Sequence, residues 1–164
     1  MIALATAAGA ALSEQSEPRL EPVQRDVREL SQALYRGDLD TVLRFTHPKI
    51  KKMFGGSEAV RAAMEQALLS ILDSGMTLEA FTFPRAPDYI EGVERRFAIV
   101  PTLSIMAMKG QRIESLNYQF GVLEPGAESW AYIEGSRINQ QNVGVLFPDF
   151  PADYTFPEFY RKRL

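Results

Sequence analysis

The sequence predicts an α+β protein in which N-terminal helices pack on one face of a strongly curved antiparallel sheet. Apolar residues recur at helical spacing in the first half of the chain, and they alternate with period two in the second half. Because tight turns rather than helices separate the alternating segments, we expect consecutive strands to pair as a meander. A long sheet that curls around the helices would form a cone with an internal apolar pocket.

Three helices are predicted in the first half. The first carries an apolar stripe at i, i+3, i+7, i+10 and i+14: Leu20, Val23, Val27, Leu30 and Leu34. Gly37 suits its left-handed C-cap, and Asp38 suits the N-cap of a second, short helix over residues 39–45. Residues 49–54 are expected to form a basic connector, and Ser57 is expected to cap a long alanine-rich helix.

Four strands are predicted in the second half: residues 76–83, 95–108, 111–124 and 129–134. Lys109-Gly110 predicts a two-residue hairpin turn between the two long strands, and Pro125-Gly126 predicts the turn before the last strand.

The predicted domain spans residues 18–138 and is flanked by two segments of different composition. Residues 1–17 are interpreted as a leader, because residues 1–12 are small and apolar and Ala8-Gly9-Ala10 fits a signal-peptidase site. If this stretch is the remnant of a signal peptide, the protein is periplasmic or secreted; otherwise it is cytoplasmic. Residues 139–164 are rich in proline and aromatic residues, which favours an extended segment lying against the body or a partner.

Composition excludes several classes of site within the chain. The 164 residues include no cysteine and one histidine, so disulfides, Cys-ligated zinc, thiol nucleophiles and multi-histidine zinc sites are absent. We therefore expect no metal and no cofactor. The net charge of -3 argues against nucleic-acid binding, and no stretch is long and apolar enough to predict a membrane helix.

The element order and several short motifs resemble the nuclear transport factor 2-like superfamily, which includes ketosteroid isomerase-like proteins. The resemblance covers roughly residues 21–138. It is carried by the stretches at residues 33–40 (ALYRGDLD), 45–48 (FTHP), 55–56 (GG) and 130–135 (WAYIEG). It implies a cone-shaped fold, frequent dimerisation through the open sheet face and a pocket between helices and sheet. It does not imply one activity, since members include enzymes and non-catalytic binding domains.

Six residues are candidates for lining a ligand pocket: Tyr35, His47, Arg95, Tyr118, Trp130 and Tyr132. The aromatic residues can stack on a ligand and hydrogen-bond to it, or simply fill the core. His47 can act as a general base or as a hydrogen-bonded connector residue, and no carboxylate partner is evident for it. An inward-pointing Arg95 needs an anionic partner, either a glutamate or a ligand carboxylate.

No catalytic set is identified by motif. Asp38 and Asp40 are explained as helix-start residues, and Glu114 is expected to be solvated near its hairpin. We therefore expect a non-catalytic domain that binds a small apolar or amphipathic ligand or forms a homodimer. The alternative is a pocket enzyme, an isomerase, dehydratase or hydrolase, that uses a carboxylate with tyrosine support.

Overall fold

The computed structural model describes residues 19–164. The predicted leader and its export signal lie outside the described residues. The chain forms the α+β architecture predicted from sequence, with four α-helices before the antiparallel sheet and a short fifth helix between its last two strands. The α-helices are α1 (Pro22–Arg36), α2 (Leu39–Phe45), α3 (Pro48–Met53), α4 (Ser57–Ser74) and α5 (Val143–Leu146). The strands are β1 (Thr77–Thr82), β2 (Asp88–Glu91), β3 (Arg96–Met108), β4 (Gln111–Leu123), β5 (Ala131–Glu134) and β6 (Tyr160–Arg163).

The ends of the first helices follow the predicted capping pattern. Gly37 ends α1 in the left-handed region at φ 72°, where a side chain would be strained. The Asp38 carboxylate accepts a hydrogen bond from the Thr41 N–H at 3.2 Å and so caps α2.

Two predictions for the next segment are corrected by the structure. The connector at residues 49–54 is largely the helix α3, whose N-cap is the His47 side chain accepting from the Lys49 N–H. Pro48 at the first position of α3 fits, because proline needs no hydrogen-bond acceptor there. Gly56 rather than Ser57 is the N-cap of α4, and Ser57 is the first helical residue.

The sheet is organised around a long hairpin formed by β3 and β4. Lys109 and Gly110 join them with positive φ angles of 48° and 76°, as a type I′ turn requires. The short strands β1 and β2 both pair with β3, and β5 and β6 both pair with β4. Strands β2 and β6 were not predicted, because each has four residues and little apolar alternation.

The two faces of the sheet are covered by different parts of the chain. On the helix-covered face, Val23 and Val27 of α1 pack against Ala98, Val100 and Tyr132. The other face of the sheet, which we call the tail-covered face, is covered by the C-terminal extension. Side chains of β3 and β4 that point to this face form a second core with the extension: Phe97, Ile99, Tyr118, Phe120, Phe147 and Phe150. The extension thus lies against the body, as its aromatic composition predicts, but it is not extended throughout because it contains the short helix α5. None of the helices within residues 19–164 is long and apolar enough to cross a membrane.

Candidate functional site

A cleft lies between helices α1 and α4 and the helix-covered face of the sheet. It consists of two adjoining cavities of about 300 and 430 Å³, which share Leu30, Leu34, Gln119 and Glu134 in their linings. We call the smaller one the apolar cavity and the larger one the polar cavity. Volumes of this size are typical of sites for small molecules.

Helix α4 forms the outer wall of this cleft. Val60 is the one buried residue of α4, and it lines the apolar cavity with Met64 and Ala67. Ile71, one turn beyond Ala67, lines the polar cavity. The inner stripe of α4 therefore faces open space in the cleft, where a packed core would bury several of its residues.

The floor of the polar cavity is formed by alternate residues of β4. Ser115, Asn117 and Gln119 project to the same side of the strand, as period-two alternation requires. The Asn117 side-chain amide donates to Glu134 Oε1 at 2.6 Å, and the Ser136 hydroxyl donates to the other oxygen of Glu134. Both carboxylate oxygens of Glu134 are thus already engaged.

The cationic groups at the cleft differ in their surroundings. The Arg137 guanidinium, at the apolar cavity, lies over the Phe54 ring at 5.0 Å from its centroid. Arg161 of β6 lines the polar cavity and takes part in none of the ion pairs formed within residues 19–164. Burial raises the pKa of the Tyr35 phenol in the same cavity, and the Arg161 charge partly offsets that rise.

A second polar cluster lies outside the cleft, beside the tail-covered core. His47 Nε2 is 3.1 Å from Glu124, which in turn accepts from Arg95 Nε at 2.7 Å. Arg95 also donates to Asp149 of the extension at 2.8 Å. His47 therefore has a carboxylate partner, contrary to the interpretation from sequence. Arg95 has protein carboxylates in place of a ligand, with Glu94 as a third at 3.7 Å.

The geometry of this cluster defines the protonation of His47. Its Nδ1 accepts the Lys49 N–H, so Nε2 carries the proton that is donated to Glu124. Burial lowers the pKa of His47, and the hydrogen bond to Glu124 only partly opposes this. The imidazole is 1% exposed and packs edge-on against Phe147. These contacts hold the connector, the β4–β5 turn and the extension together.

The six pocket candidates are distributed over three places. Tyr35 lines the polar cavity, and Tyr132 lines the apolar cavity while its hydroxyl donates to Asp26 at 2.8 Å. His47 and Arg95 lie in the second cluster. The remaining two pack in the cores: the Tyr118 hydroxyl donates to the Ile138 carbonyl at 2.6 Å, and Trp130 packs beside the helix-covered core.

Sequence reasoning missed Arg161 as a cleft residue, because it belongs to a strand that was not predicted. Ser115, Asn117 and Gln119 alternate along the sequence, as residues on one face of a strand do. Glu114 is only 16% exposed in its side chain and pairs with Lys162 at 2.9 Å, which corrects the expectation that it is solvated.

Comparisons of the chain with protein-family models, with curated proteins and with solved structures gave no match. Among residues 19–164, no group of three or more acidic, histidine or cysteine side chains is placed to hold a metal ion.

Proposed function

We propose that this chain is a non-catalytic binding domain of the nuclear transport factor 2-like type, with the sheet curled as a cone around a cleft that takes a small apolar or amphipathic molecule. The observation that carries the proposal is the pair of adjoining cavities between the helices and one sheet face. Apolar side chains of α4 face the two cavities. Exposing apolar side chains to water is unfavourable, so an apolar ligand that fills the cavities would be stabilised there.

The chemistry of the lining favours binding over catalysis. Glu134 is the acid of the cleft lining, and its two oxygens accept hydrogen bonds from Asn117 and Ser136. The Tyr132 hydroxyl is directed to Asp26, which is not among the residues that line either cavity. Neither lining, as described, contains a second carboxylate or a histidine beside Glu134, so the cleft lacks the pair of acid–base groups with which a pocket enzyme of this kind moves protons.

The enzyme alternative rests on the Asp26–Tyr132 pair, since an acid hydrogen-bonded to a tyrosine is one part of isomerase chemistry. The pair would have to act on a substrate from the apolar cavity, where only the tyrosine is a lining residue. Binding therefore remains the better-supported function.

The proposal is tested by filling the cleft. Ala67→Trp places an indole in the apolar cavity, whereas Ala62→Trp places the same group on the same helix outside both cavity linings. We expect the wild-type protein and Ala62→Trp to enhance the fluorescence of N-phenyl-1-naphthylamine and to retain small molecules in native mass spectrometry. Ala67→Trp is expected to weaken probe binding at least about tenfold, because the ring occupies the volume that the probe needs.

The result that contradicts this function is equally specific. If wild-type protein does not bind the probe, or if the two tryptophan variants bind it equally, the cleft is not a ligand site. Both variants are compared at equal folded fraction, measured by circular dichroism.

Dimerisation is the second function that we propose, and an apolar strip favours it. On the tail-covered face, beyond the area covered by the extension, Leu103 and Leu116 lie opposite each other and Ile105 follows; all three are half-buried. Tyr160 of β6, which pairs with Leu116, is 39% exposed beside them. We call these four residues the open strip, and a second copy of the chain could cover it.

A further inference from the structure

The polar cavity has one cationic side chain in its described lining, Arg161. Strand β6 places it opposite Ser115 on β4. Its neighbour Lys162 is paired with Glu114, but the Arg161 guanidinium has no ion-pair partner within residues 19–164. An arginine that faces a cavity without a protein carboxylate is suited to bind an anionic group from outside the chain.

Two further hydrogen-bond donors line the same cavity. Ser115 Oγ is the one buried side-chain nitrogen or oxygen without a hydrogen-bond partner in the part of the chain that the structure describes. The Tyr35 hydroxyl has only the Met106 sulfur, at 3.5 Å, and a thioether is a weak acceptor. An unpaired buried hydroxyl destabilises a protein, so a ligand oxygen at Ser115 would remove that cost.

The acid of the lining does not neutralise Arg161. Glu134 pairs with Gln119 in the sheet, and Arg161 pairs with Ser115, four residues earlier on β4. At the usual rise per strand residue, these positions are about 13 Å apart along the strand. The Glu134 carboxylate reaches back to Asn117, two residues from Ser115, where it accepts from the Asn117 amide, and it forms no ion pair with Arg161.

The rest of the lining combines apolar side chains with the hydroxyls of Ser31, Thr102 and Ser104. Leu30 of α1, Ile71 of α4, Phe81 of β1 and Met106 of β3 all line the polar cavity. A volume of about 430 Å³ accommodates a chain of several methylene groups together with a head group. Each methylene group that leaves water for such a surface favours binding, because apolar area is removed from water.

We infer that the polar cavity binds a small amphipathic monocarboxylate, whose head group pairs with Arg161 and accepts hydrogen bonds from Ser115 and Tyr35 while its alkyl chain lies against the apolar side chains of the lining. One guanidinium matches one negative charge, which favours a monoanion over a phosphate dianion. This inference deepens the binding function proposed above and rests on it.

Isothermal titration with decanoate and with decanol, at pH 7.5, tests the inference. The two probes have the same alkyl chain and differ in the charge of the head group. We expect decanoate to bind about tenfold more tightly than decanol, a modest value because Arg161 is exposed at the cavity mouth.

Arg161→Gln is expected to weaken decanoate binding about tenfold and to leave decanol binding unchanged, since only the charged head group loses a partner. Arg163→Gln is the matched control, because Arg163 lies on the same strand but outside both cavity linings. Ser115→Ala is expected to weaken decanoate binding without lowering the melting temperature of the ligand-free protein, since the hydroxyl it removes has no partner.

The outcomes separate this inference from the function on which it rests. If decanol binds as tightly as decanoate and Arg161→Gln changes neither, the carboxylate assignment is overturned while the binding function stands. If Arg163→Gln weakens decanoate as much as Arg161→Gln does, the effect is a general surface attraction and the assignment is overturned as well. If neither decanoate nor decanol binds the wild-type protein, this inference is overturned; the proposed binding function fails as well only if N-phenyl-1-naphthylamine also does not bind.

Discussion

The single histidine, His47, makes one contact within its own segment and one with a residue far along the chain. His47 precedes Pro48 at a helix boundary, and its N-cap role is local. Its other nitrogen meets Glu124, 77 residues later in the chain. Glu124 and Asp149 then hold Arg95 between them, so four side chains from four segments form one cluster. These contacts join distant segments of the same chain, so the cluster stabilises the fold.

Burial of His47 predicts a specific loss of stability in acid. The unfolded chain protonates this histidine near pH 6.5, whereas the folded chain protonates it at a lower pH because burial lowers the pKa. The unfolded state thus binds more protons, and the free energy of unfolding should fall as the pH drops through about 6.5 towards the folded-state pKa. Urea unfolding at pH 8, 7, 6 and 5.5 measures this dependence.

His47→Gln is the comparison variant for this prediction, because an amide keeps a donor and an acceptor without titrating. Its unfolding free energy should vary less between pH 7 and 5.5 than that of the wild type. Equal pH dependence in the two proteins would show that His47 does not carry the effect. The charged groups that face His47 are Glu124, Lys49 and Arg95.

At the scale of elements, the C-terminal extension acts as a second layer of the fold. Phe147 and Phe150 are buried against Phe97 and Phe120, with ring centroids 5.1 to 5.6 Å apart. The extension then returns to the sheet as β6, which brings Arg161 to the polar cavity. It therefore contributes both to the stability of the sheet and to the lining of the cleft.

Truncating one ring of this layer should destabilise the whole protein. Phe147→Ala removes a fully buried side chain and is expected to lower the free energy of unfolding by about 3–5 kcal/mol. Phe159→Ala, in the same segment but 62% exposed, is expected to change it by less than about 0.5 kcal/mol. Urea denaturation measures both, and similar values for the two variants would mean that the extension does not pack as described.

At the scale of the whole molecule, the two sheet faces have different roles. The helix-covered face bears the cleft, and the tail-covered face is only partly covered by the extension. The open strip leaves Leu103, Ile105 and Leu116 half-buried where a second copy can pack. Covering these apolar side chains would favour association, and the Glu114–Lys162 ion pair lies beside Ile105 on the same face.

Charging the open strip should dissociate the dimer that we propose. Leu103→Lys places an ammonium group in the strip, and its desolvation on association is costly. We expect wild-type protein to sediment as a dimer of the 18.4-kDa chain and Leu103→Lys to sediment as a monomer. Val93→Lys, at an apolar residue that is 91% exposed in the β2–β3 turn, is the control and should remain dimeric. A wild-type monomer at high concentration would argue against the dimer.

The fold was predictable from sequence where the signal is periodic and local. The stripe of α1, the glycine after it and the Lys109-Gly110 turn each express a rule that operates within a few residues, and all three are present in the structure. The four-residue strands β2 and β6 lack such a signal, since pairing with β3 and β4 creates them. The same applies to the cleft: Tyr35 and Tyr132 were among the candidates, whereas Arg161 was not.

The sequence by itself determined the class of the protein and its chemical limits. Periodicity specified helices followed by a meander, and the absence of cysteine with a single histidine excluded thiol and multi-histidine chemistry. Only the tertiary structure decided which side chains meet: it paired His47 with Glu124, covered one sheet face with the extension and left Arg161 facing a cavity. The physical reason is that periodicity reports which face of an element is apolar, while contacts between distant segments depend on how those faces pack together.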